Sequence, residues 1–152
     1  MSGRYLPADC GEPELLRPLK GALQAACAKA RPLRAAVALS GGADSAMLAV
    51  HAALVQRELP GLELHCFHIH HGLQQVADHW EGHVHRLAAG LRLPCHSLRV
   101  DVRRDSGKGV EAAAREARYA GFRRLAEFTG VTHVLLAHHR NDQTETVLLR
   151  LL

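Results

Sequence analysis

Apolar residues fall along this chain in two rhythms, and their alternation divides it into elements. From Pro13, the residues Leu15, Leu16, Leu19, Leu23, Ala26 and Cys27 recur at helical spacing until Pro32 ends the run. Ala35 to Leu39 is then a short unbroken apolar stretch, as expected of a strand buried on both faces. Asp44 to Glu58 returns to a helical stripe through Met47, His51, Leu54 and Val55, and Pro60-Gly61 stops it. The alternation continues with a strand at Leu62 to Ile69 and a helix at His79 to Leu91, with Val84, Leu87, Ala88 and Leu91 inward. Pro94 breaks that helix, His96 to Val102 reads as a strand, and Val110 to Phe128 as a long helix. Thr132 to Ala137 is a fourth strand, and Asp142 to Leu152 the opening of a last helix. The residues up to Gly11 are polar and irregular. Residues 1–12 are therefore expected as a flexible arm and 13–152 as the folded domain.

Strands alternating with helices imply right-handed crossovers and an α/β fold, with a mainly parallel twisted sheet carrying helices on both faces. Ligands in such folds bind beyond the carboxyl ends of the strands. The loops after Leu39, Ile69, Val102 and Ala137 form the expected functional edge.

Composition adjusts this picture only slightly. A chain of 152 residues, 47% hydrophobic, suits one domain with a real core; with 4% aromatics, Leu, Ala and Val must fill it. A formal net charge of +4 permits an anionic partner without demanding one, and there is no dense Lys/Arg run. Cys10, Cys27, Cys66 and Cys95 form no CxxC pair, which favours reduced thiols and a cytoplasmic location. Charged residues and histidines interrupt every apolar run, so no membrane segment is expected. Twelve histidines are many, and His79 and His83 have i,i+4 spacing, but no carboxylate or Cys completes an obvious tetrahedral metal set.

The strongest chemical signal follows the first strand: Ser40-Gly41-Gly42-Ala43-Asp44-Ser45. Two glycines let the backbone turn sharply, two serines offer hydroxyls, and the next helix presents unpaired N–H groups and a positive dipole end. Together they make an oxyanion cradle of pyrophosphate size. It lacks the Lys of the G-x-x-x-x-G-K-[ST] loop. Asp44 caps the helix in the plainer reading; among phosphates, it makes sense as a partner of Mg²⁺.

This hexapeptide resembles the SGGxDS signature of the PP-loop ATP pyrophosphatase superfamily, with its adenine nucleotide alpha hydrolase-like fold. The resemblance implies that ATP is cleaved between its α and β phosphates, with the loop holding pyrophosphate while AMP passes to an acceptor oxygen. Three further segments narrow it: His68-Ile69-His70-His71-Gly72-Leu73; Glu111 to Tyr119; and Ala137-His138-His139-Arg140-Asn141-Asp142-Gln143-Thr144-Glu145-Thr146. In order and spacing the four segments are similar to the tRNA(Ile)-lysidine synthetase family, from about Ala36 to the last residue. That family adenylates the wobble cytidine of an isoleucine tRNA and then couples the lysine ε-amine to it, forming lysidine.

The implied machinery maps onto named positions. Ser40, Gly41, Gly42, Ala43, Asp44, Ser45, His70 and Arg118 are expected to hold ATP, and Asp44 the Mg²⁺. Asp44, Arg115, Asp142 and Glu145 are the expected catalytic residues. The implied partners are an isoleucine tRNA with a CAU anticodon and free L-lysine, with a homodimer left open. Residue chemistry is compatible. Glu111, Arg115 and Arg118 share one helical stripe, and Arg forks suit phosphate or carboxylate; an exposed Glu–Arg pair is the plainer reading. Asp142 and Glu145, read on a helix, lie one turn apart and converge on a cation such as the lysine ammonium. Helix capping by Asp142 is compatible with the same pattern. Of His138 and His139, strand alternation lets one face the cleft.

Two positions depart from the family: Asn141, where an acidic residue is common, and Gln74, where Arg is common. A tRNA thiolase sharing the loop is the alternative enzyme, disfavoured because Cys66 and Cys95 stand apart without a CxxC. A nucleotide- or RNA-binding fragment without turnover is the non-enzymatic alternative. An end within an apolar segment, Arg150-Leu151-Leu152, suggests that tRNA-binding domains lie beyond this piece.

Overall fold

The computed structural model of the chain describes residues 16–71, 76–102, 107, 109–140 and 143–151. The expected arm at 1–12, Cys10, Gln74, Asn141 and Asp142 lie outside them. Helix α1 spans Leu16–Lys29, strand β1 Leu33–Ala38, helix α2 Ala43–Glu58 and strand β2 Leu62–His70. Helix α3 follows at Val76–Gly90, strand β3 at Cys95–Arg99, helix α4 at Val110–Thr129, and strands β4 and β5 at His133–Arg140 and Gln143–Arg150.

The sheet order is β3-β2-β1-β4-β5. β1 runs parallel to both β2 and β4, and β3 is parallel to β2. β1 is covered on both sides. Its Leu33, Ala35 and Val37 join Leu19 and Leu23 of α1, Ala49 and Ala52 of α2 and Val84 of α3 in one core. Ala36 faces a second core with Phe67 and Ile69 of β2 and Phe122 and Leu125 of α4. Small residues bring these layers close. A Cβ at Gly121 of α4 would meet Ile69 Cδ1 at 2.7 Å, so only glycine lets the helix settle this near β2. Lys20–Glu58 at 2.7 Å links α1 to α2, and Arg34–Glu63 at 2.9 Å joins registered neighbours on β1 and β2.

One expected element is corrected. Residues 143–150 form a strand, antiparallel to β4, where the apolar pattern suggested a helix. Thr144, Thr146 and Val147 are β-branched and stiff at χ1, which favours extended backbone. Val147, Leu149 and Leu151 pack against the α4-side core while Leu148 packs against the other, so both faces of β5 gain apolar cover. The backbone of β5 also satisfies the edge of β4, which would otherwise present a row of unpaired N–H and C=O groups. β4 in turn runs to Arg140, beyond the end expected at Ala137. Among the described residues no helix is long and apolar enough to cross a membrane.

Candidate functional site

The loop between β1 and α2 is braced from within. The buried Ser45 hydroxyl donates to the Gly42 carbonyl at 3.1 Å and accepts from the Ser40 N–H at 3.1 Å. The two serine hydroxyls lie 3.1 Å apart, and the Gly42 N–H donates to Ser40 Oγ at 3.2 Å. Both hydroxyls therefore shape the turn. The N-cap of α2 is Gly42, which has no side chain to cap with, and Asp44 sits in the first turn. Ala46 N–H makes the first intrahelical bond, to Gly42 O at 3.2 Å. The N–H groups of Ala43, Asp44 and Ser45 precede it and have no intrahelical acceptor. They and the helix dipole make this edge a seat for negative charge. Gly41 adopts φ +95°, a conformation that other residues rarely take.

Behind the loop lies a cavity of about 120 Å³, lined by Ser40, Ser45, Phe67, His71, Arg118 and Ala137 among others. Two of its polar atoms are buried without a hydrogen-bond partner, His71 Nδ1 and Arg118 Nε. Nitrogen atoms in that state are costly unless something polar meets them, so this cavity suits a ligand rich in acceptors. Burial, with Arg118 beside it, pushes the His71 pKa below the ordinary imidazole value. A neutral His71 can either donate or accept there.

Strand alternation explains which histidines arrive. Phe67, Ile69 and His71 share the face that lines the cavity. His68 and His70 fall on the other face and are buried. His68 Nδ1 lies 2.7 Å from the Leu39 carbonyl; a carbonyl only accepts, so Nδ1 carries the proton and ties β2 to the residue before the loop. Burial outweighs this bond and lowers the His68 pKa. His70, expected to touch ATP, pairs instead with Glu81 of α3 at 3.9 Å, and Glu81 also meets Arg99 at 4.0 Å. His71 is thus the histidine that sequence reasoning passed over, although the period of two along β2 already marked it.

On α4, Arg118 enters the cavity while Arg115 and Glu111 remain exposed. Both guanidinium groups approach the Tyr119 ring, with Arg115 Cζ 5.5 Å and Arg118 Cζ 5.7 Å from its centroid. Such cation–π contacts restrict where both forks can point. Glu145 is exposed on β5, in register with His138. Glu145 stands on a strand, so the helical turn expected to carry Asp142 and Glu145 is not formed at Glu145; Asp142 lies outside the described residues. By strand alternation, His138 shares the face of Leu136, a cavity residue. The structure therefore brings together the loop, His71 and Arg118; Arg115 and Glu145 are not among the cavity's lining residues.

Residues 15–152 match the PP-loop domain family. The tRNA(Ile)-lysidine synthase of Bordetella parapertussis is 56% identical over 138 residues, which are 91% of this chain and 39% of that protein. The protein of the same name from Bordetella pertussis is 59% identical over 121 residues, 80% of this chain and 37% of that one. The chain thus spans about two fifths of the length of these curated relatives. Among solved structures, the U34-tRNA thiolase NcsA from Methanococcus maripaludis, with its [4Fe-4S] cluster, aligns with a TM-score of 0.61 at 14% identity, covering 72% of this chain and 39% of that one. The NH3-dependent NAD synthetase from Campylobacter jejuni aligns at 0.55 and 17% identity, covering 84% and 56%. At these identities the likeness concerns the fold alone.

Proposed function

This chain belongs to the PP-loop family, and from that premise we propose that it is the ATP-handling part of an enzyme that forms lysidine at the wobble cytidine of an isoleucine tRNA with a CAU anticodon. The observation that carries the ATP reading is the braced Ser40–Ser45 loop at a helix N-terminus, opening onto a cavity with an unpartnered Arg118 Nε. The tRNA and lysine are supported by the names of the relatives at 52–59% identity.

ATP supplies an activated adenylyl group with pyrophosphate as its leaving group. The chain's own residues then divide the work. The N–H groups at the start of α2 hold the departing negative charge, where backbone dipoles need no reorganisation. Arg118 and His71 offer hydrogen-bonding atoms in the cavity, and Arg115, exposed one turn before Arg118 on α4, is assigned to the incoming substrates. Asp44, in the first turn of α2 beside the loop, would hold Mg²⁺ together with nucleotide phosphates. Glu145, near His138, and Asp142 are assigned to the lysine ammonium, because carboxylates attract an amine and repel phosphate.

The thiolase alternative gains nothing from the fold. Cys66 and Cys95, far apart in sequence, do meet as register partners on β2 and β3. Burial holds both thiols protonated, with Cys95 pushed up to about 11 and Cys66 higher still, which is the wrong direction for sulfur nucleophiles.

The test is tRNA-dependent exchange of pyrophosphate into ATP, followed by lysine incorporation, in a protein of the relatives' length. Asp44→Ala should abolish exchange with the fold intact. Glu145→Gln should leave exchange alone and raise the lysine requirement by about one to two decades, the loss of roughly 1.5–3 kcal/mol from a charge-assisted bond. Normal exchange in Asp44→Ala would overturn the loop reading. An altered ATP requirement in Glu145→Gln, with lysine unaffected, would move that residue to ATP.

A further inference from the structure

The phosphate loop has an outer wall that the proposed chemistry does not use. A Cβ placed on Gly41 would lie 2.9 Å from Trp80 Cε3, 3.1 Å from Cδ2 and 3.2 Å from Cβ of the same side chain. The edge of the Trp80 side chain formed by Cβ, Cδ2 and Cε3 therefore occupies the space beside Gly41 from the α3 side. Trp80 is 42% exposed, so general core packing does not account for its position. Its ring instead meets two imidazoles one turn of α3 apart in edge-to-face arrangements, His79 at 6.0 Å and His83 at 6.2 Å between centroids, at 65° and 78°.

We propose that Trp80 is a positioning residue for the pyrophosphate loop, pinning Gly41 in the conformation that aims the loop's N–H groups at the ligand. The inference rests on the reading that this loop holds the pyrophosphate end of ATP. Glycine crosses between positive and negative φ at little cost, and no side chain of its own restrains it. The serine bonds hold Ser40, Gly42 and Ser45 from within. Gly41 protrudes from that web, and Trp80 is the side chain that meets it. With the ring in place, a flip of the peptide bonds flanking Gly41 must displace the indole. Without it, the loop samples orientations in which its N–H groups point away, and binding is weakened by the fraction of time so spent. This also gives the His-rich start of α3 a purpose other than metal binding: its imidazoles set the indole.

Trp80 is the only tryptophan in the chain, so it reports on itself. Pyrophosphate or Mg²⁺–ATP added to the wild-type chain should change its fluorescence saturably, while AMP, which lacks the pyrophosphate, should change it far less. Trp80→Ala should weaken ATP binding by about fivefold or more, measured calorimetrically, with the urea midpoint little changed because the side chain is half exposed. Trp80→Phe keeps Cβ and a ring against Gly41 and should restore most of the affinity. In a protein of the relatives' length the KM for ATP should rise in Trp80→Ala while kcat and the lysine requirement hold. If the wild type binds neither pyrophosphate nor ATP, the reading of the loop fails. If it binds both, but with silent fluorescence and unchanged affinity in Trp80→Ala, the loop reading stands and the positioning role is refuted. Should Trp80→Ala fail to fold, the wild-type fluorescence and Trp80→Phe decide by the same criteria.

Discussion

Ser45 and Ser40 look interchangeable in the sequence, and the structure predicts that they are not. Ser45 is 5% exposed, and its hydroxyl makes contacts with three partners: the Ser40 N–H, the Gly42 carbonyl and the Ser40 hydroxyl, each at 3.1 Å. Ser45→Ala removes all three. A neutral hydrogen bond contributes about 0.5–1.5 kcal/mol net, and a group left buried and unpaired costs more. Two circumstances soften the loss. The Gly42 carbonyl still accepts from Ala46 N–H at 3.2 Å, and Ser40 is exposed enough for water to reach its freed N–H. The remainder is roughly 1–2 kcal/mol of lost loop order, a factor of about 5–30 in ATP affinity. Ser40→Ala removes only the acceptor for the exposed Gly42 N–H and one side of the hydroxyl pair, and should cost about two- to fivefold. Isothermal titration with Mg²⁺–ATP at fixed salt measures both, with urea midpoints as the control for global stability. If the hydroxyls served chiefly as direct phosphate donors, exposed Ser40 would matter at least as much as Ser45. That ranking, or wild-type affinity in Ser45→Ala, refutes the bracing argument.

Gly121→Ala gains about 1 kcal/mol of helix propensity but must displace Ile69 Cδ1, at a cost of about 1–3 kcal/mol. In an Ile69→Val background that atom is gone and the same substitution should become neutral or stabilising, whereas equal urea-midpoint losses in both backgrounds would show the contact to be irrelevant. Stability should also fall below about pH 6.5. His51, His65, His68, His71, His96 and His133 all have folded pKa values lowered by burial, so the unfolded chain takes up protons that the folded chain refuses. The stabilisation is complete above the unfolded pKa and is lost as pH falls toward the folded values, with the well-buried His68 alone contributing up to about 1.4 kcal/mol per pH unit. A urea midpoint that is flat or rises between about pH 7.5 and pH 5.5 would contradict this.

What the sequence conveyed well was everything decided within one element. Runs such as Ala35–Leu39 announce a strand buried on both faces, and Pro32, Pro60-Gly61 and Pro94 mark where elements stop. The loop was legible because its chemistry is contiguous. Arg118 shares the polar stripe of α4 with Glu111 and Arg115, but the stripe alone does not say which of its members lines the cavity; that depends on how α4 lies on the sheet, where Gly121 meets Ile69. The choice between His70 and His71 needed only the phase of β2, and Phe67 and Ile69 set that phase.

The failures share a different cause. Thr144 to Leu151 satisfies a helical stripe and a two-faced strand equally well, because apolar residues occupy consecutive positions from Val147 to Leu149. Local pattern leaves that tie unbroken; the tie is broken by the open edge of β4 and by apolar cover on both sides of β5, which are properties of the assembled sheet. The meeting of Cys66 with Cys95 and of Trp80 with Gly41 are likewise matters of register and of how α3 lies on the sheet. The correction at β5 carries into function. A pair of carboxylates on a helix would be held to one cation by the helix itself, whereas Glu145 stands on a strand, opposite His138 in the sheet register. Under the proposed assignment of Glu145 to the lysine amine, its position depends on the β4–β5 pairing, so weakening that pairing should reach the lysine step before it reaches the loop at Ser40–Ser45, which rests on β1 and α2.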